Sequence, residues 1–196
     1  MKQLSIVLLS AILLCFSHEP LKAQQAQGSI DYSEISLLGA GVSLGYYSYG
    51  YLGSRSLSLP PLSASYEMGF HEYITAGPFV GFARWNYSYT NYSYAWSFIQ
   101  LGGRASFHLT SIINDVLDLE IDESKIDWYV SMLAGLELRQ YSAGTGTFRE
   151  DYANTTRVFL GPIAGIRYYL NDRIALYFEG GRGSFGAATF GVSTRF

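Results

Sequence analysis

Cysteine is almost absent from this chain of 196 residues, the single copy being Cys15. One thiol cannot form an intrachain disulfide, and no pair of cysteines is available to hold a metal. Charge is scarce too: Asp, Glu, Lys and Arg make up 15% of the residues and the net charge is −3. Nothing in that balance attracts a polyanion, so nucleic acid is not an expected partner. Histidine occurs three times and proline five times. The chain has no apolar run long enough to cross a bilayer as a helix, which takes about 20 residues. Its longest such run, from Leu4 to Phe16, falls short of that.

That run follows Lys2 and precedes Leu21-Lys22-Ala23. A positive start, a short apolar stretch and a small residue at a plausible cleavage position are the marks of an export signal peptide, so residues 1–23 are expected to be removed. Cys15 goes with them, and Leu13-Leu14 before it are not the small residues that lipidation needs. The remainder, 24–196, carries a net charge near −4 once Lys2, Lys22 and Glu19 are lost, and reads as one domain.

What the chain has in quantity is 17 Tyr, 12 Phe, 3 Trp and 21 Gly. Two aromatic girdles at water–lipid boundaries account for the first group, and close packing inside a narrow barrel accounts for the glycines. A soluble β-sandwich can be aromatic as well, but it requires neither such long alternating segments nor an aromatic at the chain end.

Period-2 alternation recurs in eight segments, at 34–47, 59–70, 73–89, 92–109, 127–141, 156–170, 174–185 and 187–196. In the last, Phe190, Val192, Thr194 and Phe196 share one face while Thr189, Gly191, Ser193 and Arg195 share the other. An apolar outside and a polar inside predict an all-β fold, an eight-stranded antiparallel up-and-down transmembrane β-barrel whose strands meet the length of about 9 to 11 residues that a tilted span needs. Pro78 and Pro162 fall on the outward phase and predict a bulge or locally weak pairing. The links at 71–72 and 171–173 are tight, whereas 48–58 and 142–155 are long and rich in Tyr, Ser, Gly and Thr. Short turns facing the periplasm and long loops facing outside would orient the barrel. The acidic link 110–126 is long on the periplasmic side, and its Ile112, Ile113, Val116 and Leu117 fit either a short interfacial helix or a disordered loop.

These residues resemble the small eight-stranded outer-membrane barrels of Gram-negative bacteria, of the OmpA transmembrane-domain and OmpX type. The resemblance rests on the signal peptide, the eight alternating segments, phrases such as Ala76-Gly-Pro-Phe-Val-Gly-Phe82, and the terminal Phe196, which looks like the signal read by the barrel-insertion machinery. It implies residence in the cell outer membrane, with outer-membrane lipid and lipopolysaccharide as surroundings. The family holds anchors, adhesins, small pores and a few lipid-modifying enzymes, so it leaves the activity open.

Catalysis on outer-leaflet lipid needs a nucleophile or base near that leaflet. His71 and His108 both fall at periplasmic strand ends, where an interfacial polar role is expected, so no enzyme is predicted. Gly180-Gly-Arg-Gly183 has no following helix to cradle a phosphate, and Asp122-Glu123 lacks the spaced ligands of a calcium loop, so no cofactor or metal is expected. Eight strands enclose a lumen that side chains nearly fill, which favours a structural or surface-interaction role and leaves a narrow gated pore as the alternative.

Two groups of residues are singled out. Glu67, Arg104, Glu137, Arg139, Arg157, Arg167 and Glu179 fall on the inward phase, where Glu67, Arg104, Arg167 and Glu179 are expected to form a core cluster within reach of Glu137. If Thr90-Asn91 is a two-residue turn, facing residues have numbers that sum to 181, so Tyr89 meets Tyr92, Tyr87 meets Tyr94 and Trp85 meets Trp96. This aromatic hairpin would be an outer contact surface or part of a girdle, with Arg84 beside it reaching lipopolysaccharide phosphates.

Overall fold

The computed structural model describes residues 30–44, 57–88, 93–143, 154–182 and 185–196. The expected signal peptide and most of the two long connections lie outside the described residues. Eight strands follow in chain order: β1 (Ser36–Leu44), β2 (Leu57–His71), β3 (Ile74–Ser88), β4 (Ser93–His108), β5 (Ile126–Ala143), β6 (Thr155–Tyr169), β7 (Ile174–Gly181) and β8 (Ala188–Arg195). Each pairs antiparallel with its sequence neighbour, and β1 pairs with β8 to close the barrel. A 3₁₀ turn, Tyr32–Glu34, precedes β1, and one helix, α1 (Thr110–Leu117), links β4 to β5.

The period-2 pattern is realised as a barrel turned inside out relative to a water-soluble one. In β6, Ile163, Gly165, Arg167 and Tyr169 are buried while Pro162, Ala164 and Tyr168 are exposed. In β8, Thr189, Ser193 and Arg195 point inward, and Phe190, Val192 and Phe196 stand exposed. Around the outside Leu38, Leu101, Val130, Leu136 and Leu176 continue the same apolar belt. Each such side chain left in water forfeits roughly 1.5 to 3 kcal/mol of burial, so the belt calls for an apolar surrounding.

β7 and β8 are shorter than the sequence predicts. β7 stops at Gly181, whose φ of 139° only glycine adopts readily. The Arg182 amide then turns back to the Pro162 carbonyl. Phe185 therefore leaves the sheet instead of ending a strand. β8 has 8 residues, and backbone bonds between Ser36 and Phe196 in both directions carry its pairing to the chain end.

The prolines behave as their chemistry demands. The β2–β3 register is the same on either side of Pro78 but lacks pairs opposite Gly77 and Pro78, while Pro78 stays paired to Gly103 on β4. Pro162 faces β5 on one side, and on the other β7 has already ended. The β3–β4 register runs unbroken from Ile74↔Phe107 through Val80↔Leu101, Phe82↔Ile99, Trp85↔Trp96 and Tyr87↔Tyr94 to Ser88↔Ser93, every pair summing to 181. Tyr89, Thr90, Asn91 and Tyr92 lie outside the described residues.

Glycines on the inward phase make room for two tyrosines. The Tyr177 ring lies over Gly41 and Gly191, and a Cβ at Gly165 would sit 2.5 Å from Tyr129 Cζ. Gly103, on the outward phase, has no such neighbour, its closest being a carbonyl oxygen at 3.7 Å. Gly165→Ala is therefore expected to destabilise the barrel by about 1 to 3 kcal/mol through overpacking, and Gly103→Ala to leave it nearly unchanged. Urea unfolding in lipid vesicles measures the difference, and equal costs at the two sites would refute the packing role.

Candidate functional site

The lumen is filled in layers, and the lowest, at the short-turn end, is ionic. Arg104 on β4 reaches Glu179 on β7 at 2.6 Å and Glu67 on β2 at 3.1 Å. Arg167 on β6 reaches the same Glu67 at 3.5 Å and Asp127 on β5 at 2.9 Å. Asp127 in turn meets His108 Nδ1 at 2.9 Å. The result is one chain, Glu179, Arg104, Glu67, Arg167, Asp127, His108, that alternates acid and base across five strands. Most of the remaining lone pairs and protons are occupied, Arg167 Nε being the exception in this chain: Thr75 donates to Glu67, as does Ser106, and the Tyr129 hydroxyl donates to Glu179 at 2.8 Å. Arg104 also donates to Ser131, and the Arg167 guanidinium lies 4.0 Å over the Tyr129 ring.

Sequence reasoning grouped Glu67, Arg104, Arg167 and Glu179, and the structure brings all four together. It missed Asp127 and His108. Asp127 stood at a segment start, and His108 was expected at the interface; instead His108 is buried and its ring is stacked at 3.5 Å by Tyr32 from the 3₁₀ turn. The signal was present, since both residues fall on the inward phase of their strands. His71, by contrast, is exposed.

Glu137 does not join this cluster. Above the ionic layer Phe79, Leu133 and Ile163 pack into an apolar layer, with Phe159 against it. Glu137 lies one inward position beyond Gly135 and two beyond Leu133, where it accepts from Gln100 at 3.0 Å and from its neighbour Arg139 at 2.8 Å. Arg157 belongs to neither layer: the β6 residues from Thr155 to Val158 are exposed. Inward phase alone does not bury a side chain once its strand has risen past the rim.

The uppermost layer is aromatic. Ala83, Phe98 and Phe185 are buried together, with Trp85 and Trp96 packed against them. Trp85 meets Phe98 edge-on at 4.9 Å and Trp96 meets Tyr141 at 5.2 Å. The two tryptophans thus cover the lumen from within, where a lipid-facing girdle residue cannot be. Tyr94 lies 6.0 Å from Tyr141. Arg84 is on the outward phase and exposed, its Nε donating to Asn86.

Chemically, Thr75, His108 and Asp127 are ordered like a hydroxyl–imidazole–carboxylate relay, with Thr75 Oγ1 3.1 Å from His108 Nε2. All three are buried, Tyr32 covers the imidazole, and Thr75 gives its proton to Glu67. A nucleophile needs an open approach and a free proton path to its base, and this arrangement supplies neither. Among the described residues no group of acidic, His or Cys side chains is placed to hold a metal ion.

No family model matches the chain, and no curated protein matches it. Among solved structures the barrel is similar to Ail, the attachment invasion locus protein of Yersinia pestis, solved in complex with the heparin analogue sucrose octasulfate. The two are 10% identical, over 83% of this chain and 96% of that one, with a TM-score of 0.48. The N-terminal β-barrel domain of Pseudomonas aeruginosa OprF is 14% identical over 84% and 98%, with a TM-score of 0.46. Neisserial surface protein A is 14% identical over 83% and 96%, with a TM-score of 0.40. The fold class is fixed by the chain's own ladder, a closed eight-stranded antiparallel up-and-down barrel.

Removing one partner from a fully desolvated ion chain leaves a bare charge, which costs about 3 to 5 kcal/mol. Arg104→Met is expected to destabilise by that amount, and adding Glu179→Gln to recover part of it. A double-mutant cycle in lipid vesicles reads the coupling; additive costs would show that the chain does not act as a unit.

Proposed function

We propose that the protein is an integral outer-membrane β-barrel with a structural or surface-interaction role rather than an enzyme or an open pore. The observation that supports it is the pairing of an apolar belt outside with a lumen filled by ionic, apolar and aromatic layers. The belt suits acyl chains, and a lumen that side chains nearly fill disfavours a continuous path for solutes. In this reading the long links 48–58 and 142–155 would face outside and offer their tyrosines to ligands, while the tight links at 71–72 and 171–173 would face the periplasm. Tyr94 and Trp96 of the hairpin would support those loops. Arg84 would snorkel to lipopolysaccharide phosphates, and the exposed Phe196 would be read by the insertion machinery. The resemblance stated for the sequence, with its export signal, points the same way.

Epitopes inserted at 50 and at 148 are expected to be detected on intact cells, and the purified protein to show no steady conductance in planar bilayers. Detection only after permeabilisation would reverse the orientation, and steady conductance would replace this reading by the gated pore. Arg84→Ala is expected to weaken lipopolysaccharide binding by up to about five-fold, in keeping with the at most about 1 kcal/mol of an exposed ion pair; unchanged binding would remove that contact.

A further inference from the structure

The link between β4 and β5 is folded, and it is folded with its polar side in. In α1, Thr110 and Ser111 are buried. Thr110 Oγ1 accepts the Trp128 amide at 2.8 Å. Ser111 donates to Glu123 at 2.7 Å, and Asn114 donates to both Glu123 and the Ile121 carbonyl while accepting the Ile121 amide. Glu123 also takes the Ile30 amide at 3.0 Å, so one carboxylate pins the helix, its return strand of link and the segment before β1. Asp118, in the left-handed conformation at φ 52°, ends the helix.

The other side of α1 is apolar, and its far end faces away from the protein: Ile112 and Ile113 are half-buried, whereas Val116 and Leu117 are exposed. Ile112, Ile113, Val116 and Leu117 follow one another at helical spacing as a contiguous stripe. Val116 is 74% exposed and Leu117 61% exposed, and Leu119 just beyond is exposed as well. A surface helix in water turns such a stripe toward its own protein. Here the hydrogen bonds hold it the other way round, the same inversion that the barrel wall shows.

We infer that α1 is an interfacial foot whose outward stripe enters the headgroup–acyl boundary of the phospholipid leaflet on the short-turn side. Continuity with the belt selects lipid as the occupant. The helix starts two residues after β4 ends, next to the exposed Phe107, and is bonded to the exposed Trp128 at the start of β5. Eight residues of helix reach only about 12 Å, so the stripe stays near that edge. Exposed Asp118, Glu120 and Asp122 follow it. Ser124 and Lys125 bond to the Asp122 carboxyl and hold it below the usual carboxylate range, which keeps the end of the foot charged and in water. An apolar stripe backed by a charged rim is the pattern of a segment lying in an interface.

The inference rests on the membrane reading above, and the test separates the two. In the full chain with Cys15→Ser, nitroxide labels are placed at Val116→Cys, Leu117→Cys, the mid-belt Leu136→Cys and the exposed Lys125→Cys. Each protein is first checked for its heat-resistant folded form, the two foot positions serving as substitutes for one another. In phosphatidylethanolamine–phosphatidylcholine vesicles, the ratio of oxygen to nickel-chelate accessibility at 116 and 117 is expected to lie several-fold above that at 125 and below that at 136. A foot ratio equal to that at 125, with 136 in lipid, would overturn the foot alone. A belt ratio equal to that at 125 would overturn the membrane reading with it. Spin–spin broadening at 116 that grows with protein-to-lipid ratio would assign the stripe to a second copy instead and overturn the lipid assignment.

Discussion

The chain of alternating charges from Glu179 to His108 is the interaction on which the rest of this structure depends. Each of its six groups is withdrawn from water, at a cost of several kcal/mol per ion that is offset only when every one is paired and its remaining hydrogen bonds are met. That requirement explains the small hydroxyl residues around it. Thr75, Ser106 and Ser131 occupy neighbouring inward positions and supply short donors and acceptors that longer side chains would have no room to provide. It also explains Gly165, Gly41 and Gly191, which let Tyr129 and Tyr177 lie flat against the wall. Because the charges and hydroxyls take the inside of this layer, the outward residues of the strands form the apolar belt, and such a belt calls for an apolar surrounding.

Above this layer the lumen changes character twice, to Phe79, Leu133 and Ile163 and then, past the Glu137–Arg139 pair, to the aromatic cover. Neither end is closed by a strand residue alone. Tyr32 enters from the turn before β1 and stacks on His108, and Phe185 enters from the segment between β7 and β8 and packs on Phe98. Both closures come from segments that lack the hydrogen-bond ladder, and segments of that kind open at lower free energy than the sheet they cover.

The barrel was legible in the sequence because a wall one residue thick has a period of two, and each residue's phase names its side. The same phase placed four members of the ion chain, and assuming a two-residue turn was enough to give the hairpin register. What the sequence concealed was height along the barrel. Glu137 and Glu179 share a phase, but Leu133 and its apolar layer separate them; Arg157 shares it too and stands past the rim. Asp127 and His108 were placed at strand ends, and only the turn carrying Tyr32, which packs against β2 and β3, makes those ends interior. The helix in the 110–126 link was one of two readings, because eight residues lie near the limit at which helix formation depends on tertiary bonds. Here Glu123 supplies them.

Two linked properties are open to one test, contact of the apolar belt with lipid and closure of the lumen to water. Methyl NMR of the protein in lipid nanodiscs, with an acyl-chain nitroxide in one sample and a water-soluble one in another, tests both together. The methyls of Leu101, Val130, Leu136 and Val192 are predicted to relax with the acyl-chain probe, and those of Leu37, Leu133 and Ile163 to be shielded from the water-soluble one. Relaxation of Leu133 and Ile163 by the water-soluble probe, or of the belt methyls by that probe and not by the lipid one, would contradict the account.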